Sequence, residues 1–218
     1  MTGSPIQLLG APIPALRILR ALVLAGLAAF VIRTALLALE SPWQVDDFPE
    51  ALAIKVELLP WIFPVHMITG GLALLLVPLT YMLRRQARWH RPLGRVTAVV
   101  VAVAGITAFP VALIVPVTHV SAVGFAAQGA VWLILLGFGL HYIRRRQVAQ
   151  HRAFMLLMAA TTSGAVFFRV YLALWAIFGD LRHYEAFYAL DAWIAWSLPL
   201  AAMAIFLKRT GSFRGDHR

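Results

Sequence analysis

The chain has 218 residues, 61% of them hydrophobic and 13% charged, with a mean hydropathy of +0.82. Soluble domains run at about 45–50% apolar and about 25% charged, so this composition describes an integral membrane protein, read as one domain over residues 1–218. The absence of cysteine excludes disulfides, iron–sulfur clusters, thiolate-ligated haem and zinc–thiolate sites, and the net charge of +10 is distributed as membrane topology rather than as a nucleic-acid surface.

Six segments are long enough to cross a bilayer as helices, since about 20 apolar residues span its hydrocarbon core and every backbone polar group must be satisfied there. The first, Ile13–Leu39, places Arg17 and Arg20 ahead of an apolar run, as a signal peptide does. The run exceeds a usual h-region and no small-residue cleavage site follows, so a retained helix is predicted. Glu40 to Pro60 is an acidic outer loop. Its stretch DDFPEALAIKVELL predicts a short helix over the outer face, with Asp47 near the N-cap and Pro49 in the first turn. The remaining spans are Trp61–Leu83, Val96–Val115, Val120–Ile143, Ala153–Phe178 and Leu190–Leu207, with a four-helix core over about residues 61–178. No internal repeat, low-complexity tract or linker is evident.

Arg17 and Arg20, then Arg84, Arg85, Arg88, Arg91 and Arg95, then Arg144, Arg145, Arg146 and Arg152, then Lys208, Arg209, Arg214 and Arg218 fall on one side of an up-and-down threading. Of the nine acids, only Asp216 shares that side. Lys/Arg excess marks cytoplasmic loops. The prediction is therefore an all-α, six-transmembrane-helix bundle with both termini cytoplasmic, multi-pass in a bacterial inner (plasma) membrane. The basic side faces anionic lipid, no nucleic acid is expected, and no oligomeric state is read from the sequence.

Four histidines carry the clearest chemistry. His66 lies near the start of the second span and His119 at the start of the fourth; His90 precedes the third and His151 precedes the fifth. The threading puts His66 with His119 at the outer face and His90 with His151 at the inner face. Imidazole is a standard axial ligand of haem iron, so two such pairs on facing helices are the ligand set of a di-haem transmembrane cytochrome b. Gly70 follows His66 at i+4, with Gly71 beside it, and Gly94 follows His90 at i+4. Each glycine bares helix surface for a flat macrocycle, and Gly124 lies near the same stripe as His119. Arg91, Arg95 and Arg152 are candidates for haem propionates, and equally for lipid phosphate. The competing reading of any single interfacial histidine is that it snorkels or bonds a carbonyl. The two ends of the second span are about 27 Å apart in helix rise, too far for rapid electron exchange, which counts against a second haem. One haem b at His66–His119 is therefore the main expectation, with His90–His151 as a second, weaker site.

Arg169 lies well inside the fifth span, where a charge should face the bundle interior and have a partner. Eighteen residues, or five turns, separate it from His151, so both are expected on one stripe. Asp191 is the expected counter-ion. A clamp on a propionate or a substrate anion and a structural Arg169–Asp191 pair are equally good readings.

The pairing of HRPLGR before the third span with QHRAFM before the fifth resembles an uncharacterised multi-pass membrane family, domain of unknown function 2306. His66, Gly124 with Phe125, Trp132 and Arg169 extend the match over about Phe63 to Tyr171. That family implies a fold and topology but no reaction. The histidine layout also resembles the ascorbate-reducible di-haem cytochrome b family, which implies His66 paired with His119 and His90 with His151. The function expected is a haem-b-binding electron-transfer protein, a candidate transmembrane oxidoreductase linking a quinone or small reductant to an acceptor. The alternative is a cofactor-free assembly factor or small-anion carrier with a polar interior of Arg169, Asp191 and Gln128.

Overall fold

The structure, a computed structural model, describes residues 14–40 and 50–212, and every regular element among them is helical. In chain order the helices are α1 (Pro14–Glu40), α2 (Glu50–Leu58), α3 (Ile62–Met82), α4 (Ala87–Leu113), α5 (His119–Arg144), α6 (Val148–Thr162), α7 (Gly164–Phe178) and α8 (Tyr184–Arg209). Five continuous stretches are long and apolar enough to cross a membrane: Ile62–Arg85, Ala87–Leu113, His119–Arg144, Val148–Phe178 and Tyr184–Arg209. The first predicted segment forms α1, which docks on α3 but is not among those five; Ile13 lies outside the described residues. The acidic loop does contain a short helix, α2, whereas the proposed N-cap Asp47 and Pro49 lie outside the described residues.

Helices α3, α4, α5 and α6 close a ring in which each packs on its neighbours, and α6 meets α3 to complete it. Ala73, Val77, Val101, Leu135, Leu136, Ala153, Leu157 and Met158 form the shared core, joined by Leu207 from α8. Large apolar side chains such as Val99, Ile106, Ile134 and Ile205 point outward. That is the arrangement lipid favours, because apolar surface there escapes no water and small residues drive helix contact instead. Gly71 lets α3 approach α1 and Gly124 lets α5 approach α8; an added Cβ would stand 2.8 Å from the Ala35 carbonyl oxygen and 2.9 Å from that of Ala192. Thr80 and Thr97 share a hydrogen bond of 2.8 Å across α3 and α4.

Three helix starts differ from the sequence expectation. Helix α4 begins at Ala87 rather than Val96, α6 at Val148 rather than Ala153 and α8 at Tyr184 rather than Leu190. The arginine-rich stretches that read as loops are thus helical, so His90 and His151 lie within helices. The fifth span is also interrupted at Ser163. There the Ala160 carbonyl accepts from Ser163 Oγ (2.6 Å) and the Thr161 carbonyl from Gln128 Nε2 (3.2 Å) of α5. Ser–Gly pairs are common kink sites, and these side chains supply partners for carbonyls at the interruption. Below it, α6 packs on α5 and α8. Above it, α7 packs along α8, while Ala165 and Val166 reach the Ala35–Leu74 contact of α1 and α3. The stripe expected to run from His151 to Arg169 therefore crosses a break.

Candidate functional site

Three of the four candidate histidines are oriented in the same way. His90 Nδ1 lies 3.1 Å from the Thr80 carbonyl of α3, His151 Nδ1 2.8 Å from the Gly139 carbonyl of α5, and His66 Nδ1 3.1 Å from the Ala104 carbonyl of α4. A carbonyl oxygen only accepts, so in each ring Nδ1 carries the proton and Nε2 is left with its lone pair. That is the tautomer and orientation of a metal-ligating histidine, whose other nitrogen is usually fixed by a carbonyl or carboxylate. The same bond also ties neighbouring helices together, as any interfacial histidine can. Thr107 Oγ1 lies 3.2 Å from His66 Nδ1 and shares its proton.

His90 and His151 are related by a local repeat. Gln86 and Gln147 occupy the N-cap positions of α4 and α6, and each accepts through its carbonyl from the amide of the histidine four residues on, at 2.9 and 3.0 Å. Each histidine then reaches back to the last turns of the preceding helix. The sequence carries the signal, Arg84-Arg85-Gln86…His90-Arg91 against Arg145-Arg146-Gln147…His151-Arg152, which corrects the reading that no repeat is present. The two hairpins α3–α4 and α5–α6 thus place equivalent half-buried imidazoles at one end of diagonal helices.

The outer pair is less alike. His66 is half-buried and bonded to α4, whereas His119 is the first residue of α5 and is exposed. The capping box beside it, Thr118 with Ser121, closes the helix end without it. No hydrogen bond joins the two rings among the described residues. The glycines divide as well. Nothing approaches a Cβ at Gly70, which leaves open surface, whereas one at Gly94 would make ordinary contact with Thr80 Cγ2 at 3.8 Å. Gly71 and Gly124 are consumed by α1 and α8. Arg91, Arg95 and Arg152 are exposed, and none is in an ion pair among the described residues. His141 is exposed against Tyr142, His183 sits 3.9 Å from Asp180, and His217 lies outside the described residues. No group of three or more His, Cys, Asp or Glu side chains suited to a metal ion occurs among the described residues; a two-histidine haem site is a smaller set.

Arg169 corrects the expected pairing. Its guanidinium donates to the Ala165 carbonyl one turn back in α7 (2.8 Å). Asp191, 0% exposed in α8, has no hydrogen-bond partner on either oxygen. No Arg169–Asp191 ion pair forms among the described residues. Tyr188, one turn before Asp191, lies within electrostatic reach of both and packs edge-on against Phe168 and Phe125. Gln128 and Trp132, from α5, bond the Thr161 carbonyl and the Thr162 hydroxyl (2.9 Å) just below.

Two further features escaped the sequence. Lys55, on the short helix α2, donates to the Val111 carbonyl at the end of α4 (2.7 Å) and sits close enough to His66 to act on it electrostatically. Burial holds the Lys55 ammonium below the usual lysine range. The Trp175 indole N–H in α7 is buried without a partner. No sequence pattern distinguishes either residue from its neighbours.

The family described as predicted membrane protein (DUF2306) matches residues 63–207, which span α3 to α8. No curated protein and no solved structure matches the chain.

Proposed function

The chain belongs to the DUF2306 family of predicted membrane proteins, and from that premise we propose that it is a six-helix inner-membrane protein that binds haem b and carries electrons between a quinone or small reductant and an acceptor. The observation that carries the proposal is the shared imidazole geometry: Nδ1–H held by a backbone carbonyl and Nε2 left as a ligand, at His90, His151 and His66. The chemistry of the donor set fits haem, with imidazoles whose Nδ1 is already engaged and, among the described residues, guanidinia without an ion pair at Arg91, Arg95 and Arg152 for propionates.

These features favour the inner pair, His90 with His151, over the outer pair as the main site. The two inner rings are equivalent and half-buried, whereas His119 is exposed. Bound there, haem b supplies reversible one-electron transfer; the protein's own residues fix its ligands, neutralise its carboxylates and exclude water. The carbonyls of Thr80 and Gly139 hold each ring in one tautomer, raise the basicity of its Nε2 and so set the ligand field from the protein side. His66 remains a candidate ligand for a second haem.

The test is the absorption spectrum of protein purified with haem supplied. The wild type is expected to show a dithionite-sensitive, low-spin spectrum that His90→Ala and His151→Ala each abolish and that His119→Ala leaves intact. A colourless wild type overturns the proposal and leaves the cofactor-free reading, which the unpartnered Asp191 and the helix-bound Arg169 favour. The topology part of the proposal, with both termini cytoplasmic, follows the basic residues. Reporter fusions at Arg88 and Arg145 should read cytoplasmic and one at Asp47 periplasmic; a periplasmic signal at Arg145 refutes it.

A further inference from the structure

Asp191 is the one acid buried among the described residues: it is 0% exposed, and neither carboxylate oxygen has a hydrogen-bond partner. It lies about two turns inside α8, which begins at Tyr184. Its neighbours in the helix press against α5. The Trp193 indole donates to the Val120 carbonyl (3.2 Å), and a Cβ at Gly124 would stand 2.9 Å from the Ala192 carbonyl oxygen. Arg169 of α7 donates to the Ala165 carbonyl of its own helix (2.8 Å) and leaves the acid without a counter-ion. Native proteins rarely leave a buried polar atom unpartnered, and here both oxygens of one group are. An ionised carboxylate buried without a donor or a counter-ion is costly, and such a group takes up a proton instead.

We propose that Asp191 is a proton-binding site, held as the neutral carboxylic acid in the resting protein and exchanging its proton with the end of the bundle where α8 begins. The ligand is a proton rather than a metal ion. Asp191 belongs to no group of three or more His, Cys, Asp or Glu side chains suited to a metal ion among the described residues, and a hard cation needs about six oxygens. Tyr184, Tyr188 and Asp191 follow one another at spacings of four and three along one face of α8. Tyr184 is 38% exposed, its ring centroid lies 5.9 Å from that of Tyr188, and both tyrosines are within electrostatic reach of Asp191. A phenol hydroxyl both donates and accepts, so this face leads from the buried acid to the exposed end. On release the Asp191 O–H bond breaks, the electron pair stays on the carboxylate and the proton leaves to water at Tyr184. Uptake is the reverse, and no oxidant or reductant takes part. The titratable and charged groups that face Asp191 are Tyr184 and Tyr188 of α8 and, across Tyr188, Arg169 of α7, which opposes the charge left behind. The stretch of α5 packed beside it, Val120 to Gly124, contains none; those of α6, His151 and Arg152, lie at its opposite end, and Arg182 and His183 in the turn before α8 engage Asp180. The site goes beyond electron transfer and does not rest on haem.

The experiment records infrared difference spectra of the full-length protein in lipid nanodiscs at neutral pH, in H2O and after transfer to D2O. Exposed carboxyls are ionised there, so the wild type is expected to show a single carboxylic-acid C=O band, which shifts on deuteration and which Asp191→Asn removes. Arg169→Gln should leave that band in place, because Arg169 is bonded to its own helix. Tyr188→Phe, which removes the hydroxyl and keeps the ring, should retain the band and slow its shift in D2O several-fold. These last two variants read the native carboxyl and keep the proposal open to refutation even if Asp191→Asn fails to fold. Absence of the band from the wild type, or its survival in Asp191→Asn, overturns the proposal. A band that appears only in Arg169→Gln also overturns it, by showing an Arg169–Asp191 ion pair in the wild type. A band that never shifts in D2O, or that shifts in Tyr188→Phe at the wild-type rate, refutes exchange along the tyrosine face. None of these readouts needs haem: a colourless protein with the band loses only the electron-transfer reading, and a haem protein without the band loses only the proton site.

Discussion

The approach of α1 to α3 can be tested at two adjacent residues that should respond with opposite signs. A Cβ at Gly71 meets the Ala35 backbone oxygen at 2.8 Å, the Ala38 Cβ at 3.2 Å and Leu39 Cγ at 3.3 Å. The first of these is main chain and cannot yield by rotating a side chain, so Gly71→Ala has to displace α1 itself. Overpacking of this kind costs about 1–3 kcal/mol, which is about 5- to 150-fold in the ratio of docked to undocked helix. Gly70, one residue earlier, has nothing within 4 Å of its own Cβ position. Gly70→Ala should therefore be neutral or stabilising by up to about 0.5 kcal/mol through helix propensity. The chain has no cysteine, so a single Thr34→Cys, at a position 2% exposed on α1, reports docking through its maleimide labelling rate. Labelling should accelerate in the Gly71→Ala background and not in the Gly70→Ala background, alongside denaturant titrations in detergent. Equal behaviour of the two alanines in both assays would refute the close approach of α1 and α3.

Other consequences are open to measurement. Val115 takes φ 45° in the short outer turn before α5, a strained value for a β-branched residue, and it is 42% exposed; Val115→Gly should stabilise the protein by about 1 kcal/mol, read from denaturant titration. Gln128→Leu leaves the Thr161 carbonyl at the interruption without its donor and should destabilise by about 1 kcal/mol, with faster hydrogen exchange in α7 than in α5. Because burial lowers Lys55 below its ordinary range of about 10.4, the unfolded chain binds more protons between the two values, so thermal stability should rise with pH across that window. Lys55→Met should flatten that rise.

The spans were legible because lipid selects for apolar length, and five of the predicted segments overlap the five long apolar helical stretches. Three of their starts were not. Hydropathy stops where arginine begins, but α4 and α6 run through Arg88, Arg91 and Arg152, whose side chains are exposed. The four candidate histidines stand out in the sequence by their alternation, but the carbonyl each ring meets does not, because Thr80 and Gly139 are unremarkable in sequence. Arg169 stands out as a charge within a span, but its bond goes to the Ala165 carbonyl one turn back on its own helix rather than to Asp191.

The matched hairpins bear on how the chain reaches the bilayer. In each, the two helices are sequence neighbours that pack closely on one another, with two arginines in the turn between them and a histidine bond pinning the second helix to the first. Contacts so local close with little loop entropy. The basic turn opposes its own transfer across the membrane, so α3–α4 and α5–α6 are each able to enter lipid as a paired unit from one side. The ring of four helices then needs only the meeting of two preformed hairpins, and His90 and His151, borne on different hairpins, reach the same end of the ring at that last step.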